Sequence, residues 1–142
     1  MFSKEKDNLI FIRLLHNEDV FEQVQDICRK YDVTTAVVLN GIGRMHHFEI
    51  GFFKAAGQYD KKQYNEPWEL CCLAGNISKQ PSGIYALHLH AILSDIEKKT
   101  VGGHLFAAKV DATNEIVLLK TDIRLMRQVD PATGLQSLLL ED

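Results

Sequence analysis

Hydrophobic residues recur at helical spacing in only one clear segment of this 142-residue chain. The segment follows Asn17–Asp19, whose side chains can cap a helix, and Asp19 with Glu22 has the spacing of a capping box. Its apolar residues form a single stripe, which predicts a helix packed against a core: Val20, Val24, Ile27, Cys28 and Tyr31. The other apolar segments therefore need a different kind of secondary structure.

Those other segments have the composition of β-strands. They are short, rich in β-branched and aromatic residues, and bounded by glycine, proline or polar residues. The predicted strands are Asn8–Leu15, Thr35–Leu39, Phe48–Phe53, Trp68–Ser78, Ile84–Asp95, Thr100–Phe106 and Asn114–Asp122. One helix among these strands predicts an α+β fold, with a largely antiparallel β-sheet packed against one main α-helix.

Two polar segments are predicted to be irregular. Lys54–Glu66 contains Gly57 and three lysines and is followed by Pro67, so we expect a mobile loop there. Near the C-terminus, Asp130–Gly134 predicts a turn. The leucines that follow this turn need burial, for which another subunit is one candidate: Leu135, Leu138, Leu139 and Leu140.

Length and composition predict one domain over residues 1–142. The 16 basic and 19 acidic residues give a net charge of -3, the wrong sign for a surface that attracts nucleic acid as a whole. The 3 cysteines have no Cys-x-x-Cys spacing, so they indicate neither a disulfide framework nor a zinc ribbon. Without a signal-like N-terminus or a long apolar run, we expect a cytoplasmic protein with no membrane partner.

Three of the 6 histidines lie between residues 88 and 104. His88 and His90 share one face of a predicted strand, about 7 Å apart along it. A hairpin whose loop is Ile96–Lys98 would place His90 opposite His104 on that face. A loop one residue longer would turn His104 away, unless a bulge at Gly102–Gly103 restored the register. Both registers are open from the sequence.

Three neutral imidazoles with one open position match a catalytic zinc site, so we predict a divalent-metal site at His88, His90 and His104. Zinc is the first choice, and nickel, copper and iron are the alternatives. Glu115 and Asp95 are candidates for a fourth ligand, which water can also supply. An enzyme at this site would need an acid or base, for which Glu49, Glu115 and Asp95 are candidates, with Arg44 as an anion clamp. The competing interpretation is an alternating strand that turns polar residues toward water.

Five short motifs occur in an order that resembles the PPC domain, the plants and prokaryotes conserved domain. The motifs are Val38–Gly43, Leu73–Asn76, His88–His90, Gly102–Leu105 and Thr113–Glu115. The similarity runs from about Leu9 to Leu135, so it covers nearly the whole chain, and the chain resembles the free-standing prokaryotic form. It implies a single domain over residues 1–142 with a core at about 9–135 and a C-terminal tail at 123–142. Each motif alone is weak evidence, whereas the ordered set is specific.

The resemblance implies an α+β domain that assembles as a homotrimer and holds a metal at His88, His90 and His104. It also implies a role near transcription, because plant members are nuclear DNA-binding proteins. In those members an AT-hook, an Arg-Gly-Arg-Pro segment outside the domain, grips the minor groove. The present sequence contains no such segment, since Gly43-Arg44 is followed by Met45.

Three functions follow as hypotheses. The first is a homotrimeric binding or regulatory protein with DNA or a protein as its partner. Direct DNA binding by such a trimer would require cations to gather on one of its faces, and the candidates are Lys61, Lys62, Lys98, Lys99 or Arg44. The second is a metal-dependent enzyme acting on a small molecule, and the third is a structural oligomer whose histidines form hydrogen bonds without metal. The sequence favours the first.

Overall fold

The computed structural model describes residues 1–140, and within them the chain forms one α-helix and nine β-strands. In chain order these are β1 (Phe2–Lys6), β2 (Leu9–Leu15), α1 (Val20–Lys30), β3 (Thr35–Ala55), β4 (Gln58–Tyr64), β5 (Trp68–Lys79), β6 (Tyr85–Ser94), β7 (Thr100–Thr121), β8 (Met126–Val129) and β9 (Gln136–Leu139). The predicted α+β class with one main helix is confirmed.

Seven of the strands form one sheet in the order β1-β2-β7-β6-β5-β3-β4, and β8 and β9 form a separate hairpin. Every pairing among these strands is antiparallel, as predicted. β3 also pairs with β7, so that β3, β5, β6 and β7 close into a ring of pairings. At the point of closure, His104 of β7 is paired with His90 of β6 and with Gly51 of β3.

The helix covers one face of the sheet and completes the core. Asp19 caps it by accepting a hydrogen bond from the backbone N–H of Glu22 at 3.0 Å, as the capping box predicts. Val20, Val24, Ile27 and Cys28 are buried, whereas Tyr31, the last residue of the predicted stripe, is only partly buried. The stripe is therefore a packing surface, as predicted.

Four predicted strands merge into two long ones, and the predicted loop at Lys54–Glu66 is wrong. β3 runs through Gly41–Gly43 without ending, because register shifts absorb the bends in its pairing with β7. Most of the predicted loop is β4, and β1 was not predicted at all. Both are polar strands at the two edges of the sheet, where no alternating apolar face is required.

The C-terminal segment folds into the β8–β9 hairpin around the predicted turn. Gly134 donates a hydrogen bond to the Asp130 carbonyl at 2.7 Å, and Asp130 donates to the Leu135 carbonyl at 2.8 Å. The first three leucines of this segment are half-buried, but Leu140 is 74% exposed. The predicted tail is described as far as residue 140, and its last two positions lie outside the described residues.

An apolar surface remains on the side of the sheet opposite the helix. Leu9 pairs with Leu119, Phe11 pairs with Val117, and Val37 pairs with Leu119, so these side chains share one face. Phe11 is 59% exposed and Val37 is 42% exposed. We call this surface, made of Leu9, Phe11, Val37, Val117 and Leu119, the outer sheet face.

In the described part of the chain, no helix has both the length and the apolar character needed to cross a membrane.

Candidate metal centre

The turn between β6 and β7 places the three predicted histidines together. Asp95 donates to the Lys99 carbonyl at 3.0 Å, which leaves residues 96–98 as the loop. His90 is therefore directly opposite His104, and His88 lies two residues along the same strand face. Of the two registers left open by the sequence, the one with the three-residue loop is confirmed.

The three imidazoles are arranged closely enough to share one ion. Their ring centroids are 5.0–5.3 Å apart, and one ligand nitrogen from each ring lies within 4.8 Å of the others. The Nε2 atoms of His88 and His90 are 3.2 Å apart. Two nitrogens bound to one tetrahedral zinc would be about 3.3 Å apart, given the usual zinc–nitrogen bond length. The residues present thus fit a zinc ion without rearrangement of this pair.

The surroundings of these rings favour neutral imidazole, which is the form that binds metal. Burial, helped by the nearby positive or titratable groups His88, His90, Lys61 and Arg127, lowers the pKa of His104 to about 4. Burial also lowers the pKa of His88, with added effects from Arg127 and His90. Protons therefore compete weakly for these two rings.

The lowered pKa of His104 predicts acid sensitivity in the metal-free protein. The unfolded chain, with a pKa near 6.5, takes up a proton before the folded chain does, so stability is lost as pH falls from about 6.5 toward about 4. Between pH 7 and pH 5 we expect a loss of about 1–2 kcal/mol at this site, reduced by partial solvent screening. Urea denaturation at pH 7 and at pH 5 measures this loss of stability.

His104→Gln is expected to reduce this loss, and His47→Gln, at an exposed histidine elsewhere, is the control that should keep it. If His104→Gln and wild type lose the same stability between pH 7 and pH 5, the acid sensitivity has another source.

The histidines line a cavity of about 1080 Å³. Its walls are largely aromatic and aliphatic, and they include Phe52, Phe53, Tyr59, Leu87, Phe106, Leu135 and Leu138. Phe106 packs against the His104 ring with 4.5 Å between centroids, and Tyr59 contacts both rings. A large, mostly apolar concave surface with a few converging polar groups is the usual form of a small-molecule site.

Arg127 enters this cavity from β8, which makes it the main polar residue that the sequence interpretation missed. Its guanidinium donates to the Gln136 carbonyl at 2.6 Å and to the side-chain oxygen of Asn76, the residue paired with His88. Its Nε atom is buried and has no hydrogen-bond partner. The residues around Arg127 carry no motif, so only the docking of the β8–β9 hairpin reveals it.

The other four predicted site residues lie away from the cavity walls. Arg44 contacts Asp111 at 3.1 Å and Glu69 at 3.8 Å. Glu49 pairs with Lys61 at 2.9 Å, and Asp95 accepts a hydrogen bond from the Lys99 backbone in the hairpin turn. Glu115 is paired with Arg13 across the β2–β7 ladder. Among the described lining residues there is no carboxylate to act as acid, base or fourth ligand.

The sequence matches the Plants and Prokaryotes Conserved (PCC) domain over residues 1–122. It is also 30% identical over 132 residues to the bifunctional protein GlmU of Synechococcus sp. (strain JA-3-3Ab). That alignment covers 92% of this chain and 20% of the relative, so the chain spans about a fifth of that protein's length. The β8–β9 hairpin and Arg127 lie beyond the end of the domain match.

Two solved structures are similar over nearly the whole chain. A candidate DNA-binding protein from Bacteroides thetaiotaomicron has 25% identity and a TM-score of 0.88, with 96% of this chain and 95% of that chain covered. A metal-containing protein from Archaeoglobus fulgidus has 28% identity and a TM-score of 0.84, with 99% of each chain covered.

Proposed function

This chain belongs to the Plants and Prokaryotes Conserved domain family, and we propose that it is a homotrimeric binding or regulatory protein with a three-histidine site for a divalent metal, first of all zinc. The observation that carries the metal site is the convergence of His88, His90 and His104, with ligand nitrogens within 4.8 Å of one another. The similar protein from Archaeoglobus fulgidus is described as metal-containing, which supports the same assignment. Water completes the metal shell, because no described carboxylate lines the cavity.

Assembly is supported by the outer sheet face. An exposed, contiguous apolar surface on a paired sheet is typical of a contact between proteins. Because the same face is present on every copy, a closed ring of three chains would cover it repeatedly. The family resemblance supplies the number three.

A DNA or protein partner completes the proposal, and of the two a protein partner has more support from the charges. The similar structure from Bacteroides thetaiotaomicron is a candidate DNA-binding protein. In this chain, however, Arg44, Lys61 and Lys99 each contact a carboxylate, and Lys98 donates to the Ile96 carbonyl. These contacts reduce the positive charge available to a phosphate backbone.

The test is the metal content of protein purified without a histidine tag, incubated with zinc and desalted. Wild type is expected to hold about one zinc per chain, because its three imidazoles fit a tetrahedral ion. The variant His88→Ala, His90→Ala, His104→Ala should hold none. Mass spectrometry of the metal and circular dichroism of the protein measure occupancy and folding together.

The remaining three histidines provide a matched control. His16 stacks on His46 at 5.8 Å, and the Nδ1 atoms of His46 and His47 are 2.7 Å apart, so they form a separate group. The variant His16→Ala, His46→Ala, His47→Ala should keep its zinc. A wild type that holds no zinc, or a control that loses as much as the first variant, would contradict the proposed site.

A further inference from the structure

We infer that the cavity beside the three histidines binds a small organic carboxylate with an aromatic or apolar body, and that the Arg127 guanidinium receives the carboxylate. The inference extends the proposed function to a ligand class and rests on it in one respect, since a metal at the histidines would add positive charge to the same cavity. Arg127 itself can be tested with or without metal.

The first observation is a half-buried cation without a counterion. No carboxylate in residues 1–140 lies within ion-pair distance of Arg127, although most other buried or half-buried charges in proteins are paired. Taking a guanidinium out of water is costly unless an anion or hydrogen bonds replace the water. An anionic ligand would supply the counterion that the described residues 1–140 do not.

The second observation is the set of donors that Arg127 leaves free. Its contacts with Gln136 and Asn76 hold the guanidinium in place and use one N–H of Nη1 and one N–H of Nη2. A guanidinium has more N–H donors than these two contacts use, and its planar fork matches a carboxylate. The group is therefore fixed in position and still able to bind.

The third observation is the wall of the cavity. Phe52, Tyr59, Phe106 and Leu138 line it, and no acidic residue is among its described lining residues. Such a wall would bury an aromatic or aliphatic body, while the absence of negative charge favours an anion over a cation. With a cavity of about 1080 Å³, a single-ring acid fits with room to spare.

The experiment uses isothermal titration calorimetry with benzoate, and with benzyl alcohol as the uncharged probe of the same body. Benzoate is expected to bind at least about 10-fold more tightly, because only benzoate can accept charge-assisted hydrogen bonds from Arg127. Arg127→Met should weaken benzoate binding by about 10-fold to 100-fold and leave benzyl alcohol little changed. Arg124→Met, at an exposed arginine three residues earlier, should leave both unchanged.

Zinc content, measured on the same samples, separates this inference from the proposed metal site. If wild type and Arg127→Met both hold zinc but benzoate binds no better than benzyl alcohol, the inference is overturned and the metal site stands. If no sample holds zinc but benzoate binding still depends on Arg127, the metal site is overturned and the inference stands.

Arg127 also ties β8 to β9, so a third variant guards against unfolding. Arg127→Lys keeps the charge but loses the planar fork, and it should bind benzoate more weakly than wild type by a few-fold. Equal benzoate affinity in wild type, Arg127→Lys and a folded Arg127→Met would overturn the inference.

Discussion

Replacing Gly75 with alanine is expected to destabilise the protein by at least about 3 kcal/mol. Gly75 lies in β5 opposite Leu89 of β6 and has a φ of +156°. A Cβ atom there would be 2.0 Å from the His88 carbonyl oxygen and 3.0 Å from the Leu89 Cα. Because these are backbone atoms in a paired strand, β5 and β6 would have to separate to make room.

Urea denaturation measures this loss, and Gly57→Ala is its control. Gly57 also has a positive φ, +70°, but a Cβ there would have no atom within 4 Å. The control should therefore show only the backbone cost, about 1–2 kcal/mol. Equal losses in the two variants would mean that contact with the His88 carbonyl is not what requires glycine.

The same variant connects the fold with the proposed metal site. Since the clash falls on the backbone of His88, any shift that relieves it moves one of the three imidazoles. At a temperature where Gly75→Ala is still folded, its zinc affinity should be lower than that of Gly57→Ala.

Placing two glutamates on the outer sheet face is expected to convert the proposed trimer into monomers. The variant Phe11→Glu, Leu119→Glu puts charge on adjacent strands of a surface that is apolar in the wild type. A buried carboxylate without a partner costs several kcal/mol, and a threefold assembly would repeat that cost at each contact. Light scattering should give a molecular mass of three times 16.1 kDa for the wild type and of 16.1 kDa for the variant.

Two exposed isoleucines elsewhere on the surface provide the control for charge. Ile84 is 65% exposed and Ile96 is 90% exposed, and both lie outside the outer sheet face. The variant Ile84→Glu, Ile96→Glu should keep the mass of the wild type. A monomeric wild type, or a Phe11→Glu, Leu119→Glu variant that keeps three chains, would contradict the proposed assembly.

The sequence predicts the structure most clearly where a residue pattern is compatible with only one kind of secondary structure. The helix from Val20 to Lys30 had a cap, a stripe and a polar face, and the structure confirms it. The strand alternation of His88 and His90 was equally clear. The hairpin register was left open, because one residue in the loop reverses the side chain of His104.

The strands at the sheet edges could not be read in this way. β4 has exposed or half-exposed side chains throughout, so its sequence has no apolar alternation and resembles a loop. The continuity of β3 could not be predicted for another reason. Glycines such as Gly41 and Gly43 usually indicate the end of a strand. Here register shifts let the strand bend and continue.

The cavity was beyond sequence analysis for a third reason. Its walls come from β3, β4, β5, β6, β7 and the β8–β9 hairpin, which are far apart in sequence. Arg127 approaches His88 only because the hairpin folds back onto Asn76. No spacing along the chain encodes such an approach, whereas the three histidines belong to one hairpin and were found together.

Because the three histidines belong to one hairpin, their arrangement can be transferred to another protein as a unit. Residues 88–104 form one continuous segment that carries all three imidazoles, so the ligand geometry travels with a single hairpin and its three-residue loop. A protein engineer could graft this segment onto another antiparallel sheet, provided that the neighbouring strand leaves space at Gly103. There, a Cβ atom would come within 2.8 Å of the Gly51 carbonyl oxygen. An acceptor sheet therefore has to match the present protein in the width of this one gap, since the turn is carried by the grafted hairpin itself.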